Sequence, residues 1–141
     1  MEATHRDLQC VVVTPERAVL DEPADFVALT LYDGELGVLP GRAPLIGRLG
    51  YGELRIRRGE STRRYFVDGG FAQVRNNVVT VLTPRAIRAE DINTQAATQV
   101  LEAPAPAVAS VAARDTHQKN QERARAQLRV ARRAHGAEIA H

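Results

Sequence analysis

From Leu8 to Leu82 the apolar positions recur at a period near two, in short runs separated by turn residues. Leu8–Val13 is β-branched and apolar, and Thr14-Pro15-Glu16-Arg17 follows it as a turn. A second strand begins at Val19-Leu20. Pro23 and the charges of Asp21, Glu22 and Asp25 interrupt it before Phe26–Leu31 resumes the pattern. A proline has no N–H to give a sheet ladder, so this strand is expected to be an edge or to be broken there. Gly47–Gly52 predicts one short strand, and Leu54 and Ile56 then alternate with outward-facing Arg55 and Arg57. Gly59-Glu60 closes a hairpin onto Arg63–Val67, with Asp68-Gly69-Gly70 as the next break. Phe71–Val74 pairs with Val78–Leu82 across Arg75-Asn76-Asn77, where asparagine tolerates the positive φ of a tight turn. Short strands with closely spaced turns indicate a sandwich or barrel.

One stretch breaks the alternation. Asp33–Ile46 is punctuated by Gly34, Gly37, Pro40, Gly41 and Pro44, yet carries Leu36, Val38, Leu39, Leu45 and Ile46. It is too apolar for a solvated linker, which predicts a long loop folded against the sheet at a contact with something else.

The period changes at Thr83-Pro84. Glu90-Asp91 places acid in a first helical turn, Ile92, Ala96, Val100 and Leu101 recur at helical spacing, and Pro104 and Pro106 end that helix. A second helix fits between Val108 and Ala134, with Gly136 suited to its end. Val111, Leu128 and Val130 are its few large apolar residues, too few for an autonomous unit. The two helices therefore need the β body or a partner to hold them.

Charge sharpens this division. The chain of 141 residues has a formal net charge of +2. Residues 1–89 are balanced, whereas 108–135 holds seven bases (Arg114, Lys119, Arg123, Arg125, Arg129, Arg132, Arg133) against Asp115 and Glu122. Such a helix reads as a solvated face first, then as a surface for an acidic protein partner, and least as one for nucleic acid. No apolar run reaches the roughly 18 residues of a membrane span, and Met1–Asp7 lacks the apolar core of a signal peptide; a soluble, cytosolic protein is expected. The single Cys10, in an apolar strand, reads as a small buried hydrophobe.

Catalytic and metal-binding patterns are absent. Gly34, Gly37 and Gly41 lack the Lys-Ser/Thr and the following helix of a phosphate loop. His5, His117, His135 and His141 have no ligand spacing, and Ser61 and Ser110 have no nucleophile context. Arg55, Arg57, Arg58, Arg63 and Arg64 cluster on one hairpin, with little aromatic interleaving for nucleic acid. The residues describe an interaction protein, not an enzyme.

In order along the chain, Val12-Val13-Thr14-Pro15-Glu16-Arg17, then Gly34-Glu35-Leu36-Gly37-Val38-Leu39-Pro40-Gly41-Arg42-Ala43-Pro44-Leu45, then Val67-Asp68-Gly69-Gly70-Phe71 with Val78–Leu82, and finally Gln127–Ala131 together resemble the epsilon subunit of F-type ATP synthases. The resemblance implies an N-terminal flattened β-sandwich over residues 1–86 and a C-terminal α-helical hairpin over 87–141, acting as a regulatory arm. It implies a non-catalytic place in the central stalk, bound to the gamma subunit and the c-subunit ring, peripheral on the cytoplasmic face of the bacterial inner membrane. The ring-contact loop would carry Glu35, Leu36, Gly37 and Arg42, the last at a position where the family commonly has His. The basic residues Arg123, Arg125, Arg129, Arg132 and Arg133 would meet the alpha and beta catalytic subunits transiently and restrain hydrolysis. Some bacterial members bind ATP through a motif whose positions here read Ile92, Asn93, Ala96 and Ala97, with Arg123 and Gln127 on the second helix. The motif's Asp, its first Arg and a second-helix Arg are replaced, so ATP binding is expected to be weak or absent and no cofactor is expected. The competing reading from another class is a β-sandwich adaptor whose basic helical tail binds RNA or another polyanion.

Overall fold

The computed structural model describes residues 7–107 and 110–140, the last four by backbone alone. Eight strands come first: β1 (Leu8–Val13), β2 (Ala18–Ala24), β3 (Phe26–Leu31), β4 (Gly34–Val38), β5 (Leu45–Arg58), β6 (Ser61–Arg75), β7 (Val78–Leu82) and β8 (Ala86–Arg88). A 3-10 turn (Ala89–Asp91) and two helices, α1 (Thr94–Glu102) and α2 (Val111–Ala140), complete the chain. The strand order is β2-β1-β7-β6-β5-β3-β4, and β8 adds to β6 beside that path. All pairings are antiparallel except β1 with β7.

The sheet folds over into two layers because β5 and β6, 14 and 15 residues long, serve both. The half of β6 from Phe71 to Arg75 pairs with β7, and Tyr65–Val67 pairs with β8. Between the halves Gly69 and Gly70 adopt φ of 77° and 108°. A Cβ on Gly70 would lie 2.0 Å from the Leu82 carbonyl oxygen, so only glycine permits this crossing. The neighbouring strand accommodates the bend too, since the β3–β5 register shifts between Ala28 and Leu31. Leu8, Cys10, Val12, Val27, Leu29, Leu54, Ile56, Val74, Val79 and Val81 fill the space between the layers. The β5–β6 turn is fastened to β2 and β3: Asp25 accepts the Gly59 amide at 2.6 Å, and Arg63 pairs with Glu22.

Five local expectations are corrected. Asp33–Ile46 is not a long loop: Gly34–Val38 pairs with β3 as an edge strand, β5 begins at Leu45, and only residues 39–44 are loop. The separate strands expected at Gly47–Gly52 and 53–57 are one, as are those on either side of Asp68-Gly70. The glycine pair at positive φ bends β6 without shifting its register to β5, while on its other side the partner changes from β7 to β8. The first helix starts at Thr94 rather than with Glu90-Asp91, which form the 3-10 turn; Asn93 caps it by accepting the Ala96 amide at 2.9 Å. Gly136 lies inside α2 instead of ending it. The short strand β8 carries no alternation long enough to be read. Pro23 sits on edge strand β2, as its missing N–H requires, and Asn76 and Asn77 turn the β6–β7 hairpin at φ of 52° and 65°. Val108, where the second helix was allowed to begin, lies outside the described residues.

Candidate interaction surfaces

The molecule presents three surfaces to consider. The first is the seat of α2. Tyr51 and Glu53 on β5 and Phe66 and Asp68 on β6 are paired across the ladder, so they share one outward face. Phe66 is fully buried there by Ala126 and Val130 of α2, with Ala89 and Ile92 completing a small core. Glu53 looks outward in the alternation but is only 5% exposed, because the helix covers it. Its carboxylate accepts from Arg64 at 2.8 Å, Arg55 at 3.0 Å and Arg133 at 3.2 Å, and the Thr30 hydroxyl bridges its backbone N–H and C=O at 3.1 Å each. Asp68 accepts from Arg123 Nε at 2.8 Å. The Arg123 guanidinium also lies 5.0 Å from the Tyr51 ring centroid and donates to Asn120 at 3.0 Å. The Asp68 hydrogen bond above all raises the Arg123 pKa further.

The second surface is the cleft between α1 and α2. A cavity of about 580 Å³ is lined by Asp68, Arg85, Ala96, Ala97, Val100, Asn120, Arg123, Ala124 and Gln127. Of the positions matched to the nucleotide motif, Ala96, Ala97, Arg123 and Gln127 meet here. Ile92 instead fills the core under α2, and Asn93 caps α1. Arg123, the one arginine of the set, is engaged by Asp68, whose carboxylate also opposes a phosphate in the cleft.

The third is formed by the other halves of β5 and β6, beside the seat of α2. Arg48 pairs with Phe71 and Phe71 with Leu82 across the ladder, and the Tyr32 amide donates to the Arg48 carbonyl, with the Arg48 guanidinium 4.3 Å from the Tyr32 ring centroid. Ile46 and Gln73 continue the same face one step along. Tyr32 is 69% exposed, Ile46 76%, Phe71 56% and Leu82 52%. These side chains form an exposed row around Arg48, and on its Tyr32 side the row borders α2, whose Lys119, Glu122 and Arg129 line a cavity with Tyr32 and Arg48.

The residues expected at a ring contact do not form one loop. Glu35, Leu36 and Gly37 lie on β4, with Glu35 and Gly37 exposed and Leu36 half-buried. Glu35 lines a small cavity with Thr30, Gly52, Glu53, Val130 and Arg133. Arg42 is on the true loop, whose Gly41 amide donates to Asn77 Oδ1 at 2.8 Å. Of the basic helix residues, Arg125, Arg129 and Arg132 are exposed, while Arg123 and Arg133 are bound to the β body. The hairpin arginines are likewise spoken for: Arg55 and Arg64 by Glu53, Arg58 by Asp25, Arg63 by Glu22, and Arg57 by the face of Phe26. Asp68 and Glu53 were legible only as a turn residue and an outward strand position. The signal that marks them is on the helix, where Arg123, Ala126, Val130 and Arg133 form one stripe with a charge at each end. Among the described residues no cluster of three or more metal-ligating side chains occurs, and no helix is long and apolar enough to cross a membrane.

The family model for the ATP synthase Delta/Epsilon chain beta-sandwich domain matches residues 7–89, more than half of the chain. The chain belongs to this family. Among its epsilon-chain relatives, that of Rhodopirellula baltica is 61% identical over 94 residues, covering 67% of this chain and 73% of the relative. That of Nitratidesulfovibrio vulgaris strain DP4 is 37% identical over 128 residues, covering 89% and 96%. The latter match takes in the helices as well as the sandwich. A chain of the Euglena gracilis mitochondrial ATP synthase (OSCP/F1/c-ring) superposes with a TM-score of 0.78 at 25% identity, over 85% of this chain and 78% of that one. A chain of the Tetrahymena thermophila central stalk and c-ring shares the fold, with a TM-score of 0.69 at 13% identity over 88% and 96%. Epsilon chains are regulatory and structural subunits rather than catalytic ones, in keeping with the expectation from the residues.

Proposed function

We propose that the protein is a rotor subunit of an F-type ATP synthase, coupling proton translocation to ATP synthesis mechanically. The β body binds the gamma subunit and seats on the c ring; the helices form an arm that restrains ATP hydrolysis when it reaches the catalytic subunits. The apolar row Tyr32, Ile46, Phe71 and Leu82 carries the first part of this reading. Its apolar side chains stay exposed with the arm docked, and Arg48 at its centre gives it polar register, the composition of a protein interface with an aromatic anchor. Glu35 and Arg42 present charge to the polar loops of the ring. Arg125, Arg129 and Arg132, exposed on α2, are the arm residues free to meet acidic segments of the alpha and beta subunits. The complex would hold the protein peripherally at the cytoplasmic face of the inner membrane.

The test is co-purification. Tagged wild-type protein is expected to retain gamma subunit from an ATP synthase-containing extract, and Phe71→Glu to lose most of it. Equal recovery with both, or recovery of nucleic acid in place of gamma, overturns the reading.

A further inference from the structure

We propose that Asp68 is the latch that decides whether the helical arm stays on the β body, and that the second ion pair beneath the arm does not share this role. The inference concerns the arm's own equilibrium, so it stands or falls apart from the rotor assignment.

Both ends of the α2 stripe are charged, and each meets a carboxylate of the same sheet face: Arg123 with Asp68 at 2.8 Å and Arg133 with Glu53 at 3.2 Å. The two pairs look equivalent but have different reserves. Glu53 keeps Arg55 and Arg64, both from the β body, when α2 lifts away. Its charge stays neutralised, and Arg133, with its side chain 53% exposed, gives up little. The ion pair between Asp68 and Arg123 is the one made by Asp68 among the described residues, and it crosses from body to arm. Its arginine is held on three sides: by the carboxylate, by the Tyr51 ring and by Asn120 of its own helix. A planar guanidinium fits all three at once, which an ammonium does not.

The apolar contact between the two pairs is small. On the arm it is made by Ala126, Val130, Ala131 and Ala134, mostly single methyl groups, which meet Phe66, Tyr51, Ile87, Ala89 and Ile92. With a contact this slight, one well-formed ion pair shifts the balance between docked and free arm.

Nitroxide pairs report the equilibrium directly in the full-length protein. Glu60→Cys and His135→Cys place labels on the two walls of the cleft between the β5–β6 turn and the end of α2. Cys10, wholly buried, takes no label. Asp68→Asn and Arg123→Lys are each expected to lower the docked-to-free ratio about three- to tenfold, the range for a partly exposed charge pair. Arg133→Ala is expected to change it less than about twofold. The exchange Asp68→Arg with Arg123→Asp is expected to recover much of the short-distance population. Circular dichroism checks the sheet in each variant; if Asp68→Asn loses its sheet signal, Arg123→Lys becomes the deciding substitution. An unchanged ratio in the deciding variant, or a loss in Arg133→Ala as large as its own, overturns the latch.

Discussion

Cys10 is wholly enclosed between the layers, and burial pushes its thiol pKa up to about 12 from an ordinary 9. The folded protein keeps the proton that the unfolded chain gives up near pH 9. Stability is therefore expected to fall by about 1.4 kcal/mol per pH unit from roughly pH 9 towards 12 on this account. Denaturant titrations across that range, with Cys10→Ala as reference, measure the difference in slope; parallel curves would show that the thiol is not enclosed. At Gly70 the constraint is backbone geometry. Gly70→Ala must move the Leu82 carbonyl and adopt a φ that side chains resist, and a loss of about 3 kcal/mol or more is expected in equilibrium unfolding. Gly136, in open space on α2, is the control: alanine there is expected to be neutral or stabilising.

Among the elements, those whose apolar period spans their whole length were legible from sequence: β1, β3, β7 and the general extent of α2. The errors fall where two elements join. Asp68-Gly69-Gly70 carries every local sign of a turn, and only β5 alongside shows that the strand continues through it. Gly34–Val38 has the glycines of a loop, but β3 offers a free edge that its backbone satisfies by pairing. Glu90-Asp91 satisfies a helix-start rule, yet Asn93 caps better because its side chain reaches the Ala96 amide. The interaction surfaces were half legible for a similar reason. The basic residues of α2 stood out by charge, whereas their partners Asp68 and Glu53 are far away in sequence and acquire meaning only when the helix lies on them. The arm's grip predicts its fragility: Val130→Ala, removing the largest apolar side chain that α2 buries on Phe66, is expected to lower the thermal stability of the helical signal before that of the sheet.

For the whole molecule, the proposed role asks for an arm loose enough to move and a body stiff enough to turn with its stalk. A disulfide engineered between α2 and β6 is expected to raise ATP hydrolysis by the assembled synthase; unchanged hydrolysis would remove the inhibitory role. Glu35→Lys is expected to loosen the coupling of proton flow to synthesis in reconstituted vesicles, and full coupling would separate Glu35 from the ring. Calorimetry at millimolar ATP is expected to show little heat, since the carboxylate of Asp68 lines the cleft and already engages Arg123 there.

The long strand pair β5–β6 keeps one register from the apolar row at Phe71 to the seat of the arm at Phe66, and its ladder joins Leu45–Arg58 to Ser61–Val74. A torque entering at one end is carried along covalent backbone and spread over adjacent hydrogen bonds loaded in shear, the direction in which a sheet yields least. A load applied at the Phe71 end would thus reach the arm's seat in phase, with elastic lag left to the arm alone.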